Sequence, residues 1–162
     1  MNTKRMTTLA LTLSAAMILS YIEGTLPPFT AVPGVKIGLA NIAVLFALYR
    51  LGTGAAACVS LARVFMMFVM FGTGVSFLYS LAGAALSFAG MVLLKKSRLF
   101  SPAAVSVAGG VLHNCGQILM ARFLLTTDVV LYYMPALMVS GVVAGVAVGA
   151  VCSVILNRVG IK

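Results

Sequence analysis

The sequence has very few acidic residues. Glu23 and Asp128 are its only carboxylate side chains among 162 residues. A site that holds a divalent metal through carboxylates needs several of them, and most glycosidases need a pair on either side of the bond they cut. The chain by itself therefore lacks the residues for both kinds of site, and this excludes many classes of enzyme.

Cysteines are also few, and their spacing matches no common framework. Cys58, Cys115 and Cys152 lie singly within apolar segments, with no C-x-x-C pair. Disulfide frameworks use an even number of cysteines, and zinc sites use closely spaced pairs. The P-loop pattern G-x-x-x-x-G-K-[ST] is missing as well. We expect no disulfide, metal site or cofactor, and no enzymatic activity in this chain.

Charged residues are scarce, whereas apolar residues are abundant. Hydrophobic residues make up 62% of the chain and charged residues 8%, with a mean hydropathy of +1.17. Soluble domains are roughly 45–50% apolar. The net charge is +9, but no basic run is present that could bind nucleic acid. The composition therefore predicts an integral membrane protein.

Charged and turn-forming residues divide the chain into six apolar segments, and a membrane-spanning helix needs about 20 such residues. The segments are Met6–Leu26, Ile37–Tyr49, Thr53–Phe71, Val75–Leu94, Pro102–Leu125 and Tyr133–Leu156. The first could pass for a signal peptide, but its apolar run continues to Tyr21, so we expect a retained helix. The pattern predicts an all-α fold, with residues 1–162 forming a single bundle of six transmembrane helices.

Cations are unevenly distributed between the two sides of this bundle. Lys36 and the acid Asp128 lie in the loops on one side. The side that carries both termini holds Lys4, Arg5, Arg50, Lys95, Lys96, Arg98, Arg158 and Lys162. Because Lys and Arg are enriched on the cytoplasmic side of membrane proteins, we expect a multi-pass protein of the cell membrane with both termini in the cytoplasm.

Small residues recur on two helices at a spacing that favours close helix packing. On the sixth helix they predict a packing seam within the bundle. These residues are Gly141, Gly145 and Gly149. A weaker stripe on the first helix has two interpretations, internal packing or a docking face for another membrane subunit. It consists of Thr8, Thr12, Ala16 and Ser20.

Eight polar residues are predicted at membrane depth, where such side chains are rare and usually functional. They are Glu23, Lys36, Asn41, Arg63, His113, Asn114, Gln117 and Arg122. We interpret them as candidate substrate-binding residues. Arg63 is the most informative, because about ten apolar residues flank it on either side and it lies too deep to reach the interface easily. It needs an anionic partner, which is either a bound anion or Glu23.

The second apolar segment has 13 residues. As a helix it would cover about 20 Å, less than the roughly 30 Å of a hydrocarbon core. One interpretation is that residues 27–36 form a re-entrant loop, which brings Lys36 and the N–H groups of the following helix to an anion site. The other is an ordinary surface loop followed by a tilted helix.

The fifth helix carries a polar patch. His113, Asn114 and Gln117 lie within about one turn, so their side chains are predicted to share a face. A lone histidine in a membrane is more often a hydrogen-bonded structural residue, but two neighbouring amides favour a binding role. Arg122 lies further along the helix, where an interfacial anchor is the alternative to substrate binding.

Several motifs accompany Arg63 along the chain. They are Tyr21-Ile22-Glu23, Pro33-Gly34-Val35-Lys36-Ile37-Gly38-Leu39-Ala40-Asn41-Ile42, Ser80-Leu81-Ala82-Gly83, His113-Asn114-Cys115-Gly116-Gln117 and Tyr133-Met134-Pro135. With Arg63, these motifs resemble the Gx transporter family, often labelled heptaprenyl diphosphate synthase component I, nearly end to end. The chain is also similar to the S components of energy-coupling-factor transporters. This second resemblance implies six helices, both termini inside, and a first helix whose small residues face a transmembrane coupling subunit.

The two labels imply different functions. A prenyl diphosphate synthase holds magnesium with clustered aspartates, and Asp128 is the only aspartate here. We therefore predict an S-component-like subunit for uptake of a small, partly apolar anionic metabolite or vitamin-like compound, with ATP hydrolysed by separate subunits. The alternatives are a non-catalytic membrane accessory of polyprenyl diphosphate or quinone biosynthesis, and a structural scaffold.

Overall fold

A computed structural model describes residues 3–25 and 38–159, and these ranges contain helices and turns but no strand. The all-α prediction is therefore confirmed for this part of the chain. The helices are α1 (Thr3–Thr25), α2 (Ala40–Arg50), α3 (Thr53–Phe71), α4 (Gly74–Ser97), α5 (Pro102–Leu125), a 3-10 helix (Asp128–Tyr133) and α6 (Met134–Arg158).

Five helical segments in the described ranges are long and apolar enough to cross a membrane, so the chain is a multi-pass membrane helical bundle. They are α1, α3, α4, α5, and α6 together with the 3-10 helix before it. The remaining helix, α2, has 11 residues, which correspond to about 16 Å. It is shorter than the predicted segment Ile37–Tyr49, because Gly38 has a φ of +76° and the helix starts only at Ala40.

Local capping fixes the starts of two helices, α4 and α5, within one residue of their predicted positions. Between α3 and α4, the Thr73 hydroxyl accepts a hydrogen bond from the Ser76 N–H at 3.2 Å, and the Ser76 hydroxyl accepts one from the Thr73 N–H at 2.9 Å. At the start of α5, the Ser101 hydroxyl accepts the Ala104 N–H at 3.2 Å. Such side chains satisfy N–H groups that have no partner within their own helix.

The helices pack as two groups of three. In one group α1, α2 and α3 contact one another, and in the other α5 packs between α4 and α6. Contacts of α3 with α4 and of α2 with α6 join the groups. The short helix α2 lies at the centre, where Val44, Leu45 and Leu48 are almost completely buried.

Glycines allow α5 and α6 to approach closely, which confirms the predicted packing seam on α6. A Cβ atom at Gly145 would lie 2.5 Å from the Val107 Cα, and one at Gly149 would lie 2.7 Å from the Ala103 Cα. At Gly141 it would lie 2.9 Å from the Gly110 carbonyl oxygen. Close backbone approach of this kind stabilises helix pairs in lipid, where apolar side chains gain little from leaving the solvent.

The small-residue stripe of α1 faces the interior of the chain. Thr12, Ala16 and Ser20 are only 6%, 0% and 7% exposed, and α1 packs on α2 and α3. Thr8 is half-buried. Neighbouring helices of the chain therefore use this stripe for internal packing, and its interpretation as a docking face for another subunit stays a prediction.

Two cations bind backbone carbonyl groups at the end of α2. The Arg5 guanidinium donates to the Leu51 carbonyl at 2.9 Å. The Lys95 ammonium donates to the Leu48 carbonyl and lies 5.2 Å from the centre of the Tyr49 ring. The start of α1 and the ends of α2 and α4 therefore lie at one end of the bundle, called the basic end below. The location of this end on the cytoplasmic side stays a prediction.

Candidate functional site

A cavity of about 250 Å³ lies between the two groups of helices. Its lining includes Ser20 and Glu23 from the last turns of α1, and Phe71 and Ser76 from the facing ends of α3 and α4. Because α1 and α4 place their other ends at the basic end, this part of the cavity lies in the opposite half of the bundle. From there the cavity extends past Asn114 in the middle of α5 to Ser106, near the start of that helix.

The lining combines polar and apolar groups. The apolar part comes mainly from α3, α4 and α6. It consists of Val64, Met67, Phe68, Phe71, Phe77, Ala144 and Val148. The polar part consists of Ser20, Glu23, Asn41, Arg63, Ser76, Ser80, Ser106, His113 and Asn114. This mixture is typical of sites for small organic molecules, in which a few polar groups orient a ligand inside a mainly apolar pocket.

Arg63 provides the positive charge of the described lining. One terminal nitrogen, Nη1, donates to the Ser20 hydroxyl at 3.4 Å. The Nε atom is buried and has no hydrogen-bond partner among the described residues. A buried N–H without an acceptor costs about 1–3 kcal/mol, and more when the group is charged. The side chain is therefore ready to bind an acceptor in the cavity.

Glu23 provides the negative charge and also holds the start of α2. Its Oε1 atom accepts a hydrogen bond from the Gly38 N–H at 2.5 Å. Gly38 in turn lies beside Asn41, because a Cβ atom at Gly38 would be 3.8 Å from the Asn41 Nδ2. This arrangement brings Glu23 and Asn41 to the same side of the cavity although they belong to different helices.

Arg63 and Glu23 interact electrostatically but do not form an ion pair. Within the described ranges, the ion pair that does form joins Arg122 and Asp128. The structural pair of Arg63 with Glu23, one of the two partners considered for this arginine, is thus absent as a direct contact. Each charge is held by a neutral group instead, and both remain on the cavity wall.

The polar patch of α5 divides between two neighbouring helices. Asn114 donates from its Nδ2 to the Leu137 carbonyl at 2.6 Å and to the Ser140 hydroxyl at 3.3 Å, and so ties α5 to α6. His113 and Gln117 lie against α4, where a Cβ atom at Gly83 would be 2.9 Å from the His113 Cε1 and 3.0 Å from the Gln117 Cγ.

Only part of this patch reaches the cavity. His113 and Asn114 are among the lining residues, and Gln117 is not. The predicted common face therefore holds for His113 and Gln117, which both contact Gly83. The side chain of Asn114 is directed to α6 instead.

Arg122 lies away from the cavity, at the end of α5. Its Nε donates to the Asp128 carboxylate at 2.6 Å, and the two side chains are 53% and 73% exposed. Exposed ion pairs contribute only about 0–1 kcal/mol. Arg122 thus has an anionic partner at the surface, as an interfacial residue would. Lys36 and the segment 27–36 lie outside the described residues, so their predicted roles stay predictions.

Some lining residues are not predicted from the sequence as binding residues. The sequence assigns Ser20 to the α1 stripe, but its hydroxyl accepts a hydrogen bond from Arg63. Its position three residues before Glu23 is a signal, since residues at that spacing share a helix face. The sequence predicts Met, Phe and Leu side chains of the third and fourth helices as the apolar lining. It does not single out Phe68 and Phe77, whose ring centres are 4.7 Å apart, because apolar residues surround both in the sequence.

This set of groups is suited to binding. It offers one guanidinium, one carboxylate, an imidazole, amides and hydroxyls beside aromatic rings. The described ranges contain no group of three or more His, Cys, Asp or Glu residues that could hold a metal ion. A charged organic ligand with an apolar part is the kind of molecule that these residues match.

Comparison with known protein families identifies a match over most of the chain. The family model described as heptaprenyl diphosphate synthase component I matches residues 12–155. No curated protein and no solved structure matches the chain. The matched range includes every residue that lines the cavity.

Proposed function

The chain belongs to the heptaprenyl diphosphate synthase component I family, and from that premise we propose that it is a membrane-embedded substrate-binding subunit for uptake of a small metabolite. The metabolite is partly apolar and carries an anionic group. Separate coupling and ATPase subunits supply the energy. The observation that carries this proposal is the buried Nε of Arg63, which has no hydrogen-bond partner among the described residues.

The charge of Arg63 supports an anionic group in the substrate. A cation at membrane depth is costly unless an anion or several acceptors compensate it. Glu23 does not pair with Arg63 directly, and Asp128 is engaged with Arg122. An anionic group bound at Arg63 would supply the missing acceptor through charge-assisted hydrogen bonds.

The cavity volume supports a small substrate. At about 250 Å³, the cavity lies below the roughly 300–1,000 Å³ that pockets for drug-sized ligands occupy. A long polyprenyl chain would not be enclosed in this space. The phenylalanines on α3 and α4 provide contacts for a short apolar body.

The location of the cavity supports uptake. If both termini are cytoplasmic, as the cation distribution predicts, the basic end faces the cytoplasm, and the part of the cavity around Glu23, Phe71 and Ser76 lies in the outer half of the bundle. Substrate then enters from outside.

The family description supports a second candidate, a membrane accessory in the biosynthesis of polyprenyl diphosphates or quinones. Such an accessory would deliver or receive a lipid-like intermediate and leave catalysis to a partner enzyme. The presence of a single aspartate in the chain argues against a magnesium-binding catalytic role for this subunit.

Native mass spectrometry distinguishes the two candidates. The full chain is purified gently in lipid nanodiscs, both as wild type and as Arg63→Ala, with Arg122→Ala as the charge-matched control. We expect a small acidic molecule retained by the wild type and the control and lost from Arg63→Ala. Copurified coupling subunits would support uptake. A bound polyprenyl compound, or copurification with a prenyl synthase instead, would contradict it.

A further inference from the structure

The two charges of the cavity define the substrate more narrowly. We infer that the substrate is a small amino acid-like zwitterion with a flat apolar body. Its carboxylate binds Arg63 and its ammonium group donates to Glu23. This inference rests on the proposed function and names the substrate class of the same cavity.

The free edge of Arg63 fits a carboxylate. A guanidinium has two edges that can donate a pair of parallel N–H bonds. Because Nη1 donates to Ser20 and the buried Nε has no partner among the described residues, the edge formed by Nε and Nη2 is the one left to bind a ligand. A planar group with two oxygens matches that edge in shape and charge.

Glu23 fits a hydrogen-bond donor. An ionised carboxylate only accepts hydrogen bonds and offers about four lone-pair sites. The Gly38 N–H takes one site on Oε1. A ligand that placed a second negative charge here would be repelled, whereas an ammonium group would be attracted. Glu23 therefore disfavours a diphosphate and favours a cationic donor.

The two sites are close enough for one small molecule. Ser20, which holds Arg63, and Glu23 are three residues apart on α1, and residues at this spacing have Cβ atoms about 5–6 Å apart. No nitrogen of Arg63 lies within the 4.0 Å of a Glu23 oxygen that defines an ion pair. A ligand that carries both charges can therefore bridge a gap that the protein leaves open.

The apolar part of the lining fits a flat body. Phe68 and Phe77 lie on the cavity wall with their ring planes inclined at 38°. Aromatic rings bind other rings well in offset or edge-on arrangements. An aromatic amino acid therefore provides all three features of the inferred ligand within the volume of the cavity.

Three matched probes test the inference on the full chain in nanodiscs. They are L-phenylalanine, 3-phenylpropionate, which lacks the ammonium group, and 2-phenylethylamine, which lacks the carboxylate. We expect L-phenylalanine to bind about tenfold tighter than 3-phenylpropionate, because one charge-assisted hydrogen bond is gained. 2-Phenylethylamine should bind more weakly than either.

Variants assign the two contacts. Glu23→Gln should abolish the advantage of L-phenylalanine over 3-phenylpropionate, and Arg63→Gln should weaken both. Arg122→Gln is the control and should change neither. The relative affinities of the three probes are measured on the wild-type chain. They test the inference even if a variant does not fold.

The outcomes separate the inference from the proposed function. If 3-phenylpropionate binds as tightly as L-phenylalanine and its binding requires Arg63, the inference of a zwitterionic substrate is wrong. The proposal of a small anionic substrate is then retained. If no probe binds, the zwitterion with a flat apolar body is wrong, and the molecule retained in mass spectrometry alone decides the proposed function. If inorganic pyrophosphate binds more tightly than all three probes, both the zwitterion and the proposed substrate are overturned.

Discussion

Arg63 and Arg122 each have one carboxylate nearby, but their surroundings lead to different arrangements. Arg122 is largely exposed and forms a 2.6 Å contact with Asp128. Arg63 lies on a cavity at membrane depth, where Ser20 accepts a hydrogen bond from Nη1 and the Gly38 N–H occupies Glu23. At the surface, water makes an ion pair easy to form and weak. In the cavity, each of the two charges is held by a neutral group instead.

The comparison also indicates how each arginine is tolerated. Arg122 lies in the last turn of α5, where a long side chain can reach the membrane interface. Arg63 lies in the middle of α3 and is compensated by groups from α1. Arg122 is therefore a surface residue, whereas the position of Arg63 at membrane depth makes it a candidate for a functional role.

The largest effect is expected for accessibility from the two sides of the membrane. Two single-cysteine variants, Lys96→Cys and Asp128→Cys, are made in a background without other cysteines. Position 96 lies near the basic end, and position 128 lies beside Arg122. In intact cells, an impermeant thiol reagent should label Asp128→Cys and leave Lys96→Cys unlabelled until the cells are opened. Labelling of both from the same side would contradict the predicted topology and the outer position of the cavity.

Arg63→Ala should be the next largest change. Loss of a charge-assisted contact costs about 1.5–3 kcal/mol, so we expect substrate affinity to fall by about tenfold to a hundredfold. The measurement is titration of the retained molecule identified by mass spectrometry, with thermal unfolding to check the fold. Unchanged affinity would show that Arg63 does not bind the substrate. Neither Arg63 nor Arg122 would then have a binding role.

Arg63→Lys should have a smaller effect than Arg63→Ala. Lysine restores the charge, but its ammonium group lacks the planar pair of donors that a carboxylate matches. We expect affinity between those of the wild type and Arg63→Ala in the same titration. Full recovery of the affinity would show that binding depends on the positive charge alone, and that the edge formed by Nε and Nη2 of the guanidinium does not contribute.

The smallest effect is expected for the surface pair. Arg122→Ala or Asp128→Ala should lower the free energy of unfolding by no more than about 1 kcal/mol and change substrate affinity less than twofold, because the pair is exposed and remote from the cavity. The double variant should be no worse than the single ones. A tenfold loss of affinity would place Arg122 in the binding site after all.

Much of the helical framework is readable from the sequence. The predicted bounds of α3 and α5, 53–71 and 102–125, are those of the structure. Glycine, proline, threonine and serine at these ends act through neighbouring residues, since they cap a helix or interrupt it. The membrane class follows from composition, because lipid requires long apolar helices.

The binding site is only partly readable. The sequence predicts which polar residues lie at membrane depth, and Glu23, Asn41, Arg63, His113 and Asn114 do line the cavity. It does not predict that Gln117 packs against α4 or that Ser20 holds the guanidinium. These outcomes depend on how far each helix is rotated against neighbours distant in the chain.

The sequence by itself determined that the chain lies in a membrane, that its fold is helical, and which polar residues need partners at membrane depth. These properties follow from composition and from contacts within a few residues. The tertiary structure alone decided which arginine meets an acid and which faces a cavity. An ion pair is set by distances of a few ångströms between different helices. Those distances arise from packing, such as the glycine seam of α5 and α6, which no local pattern specifies.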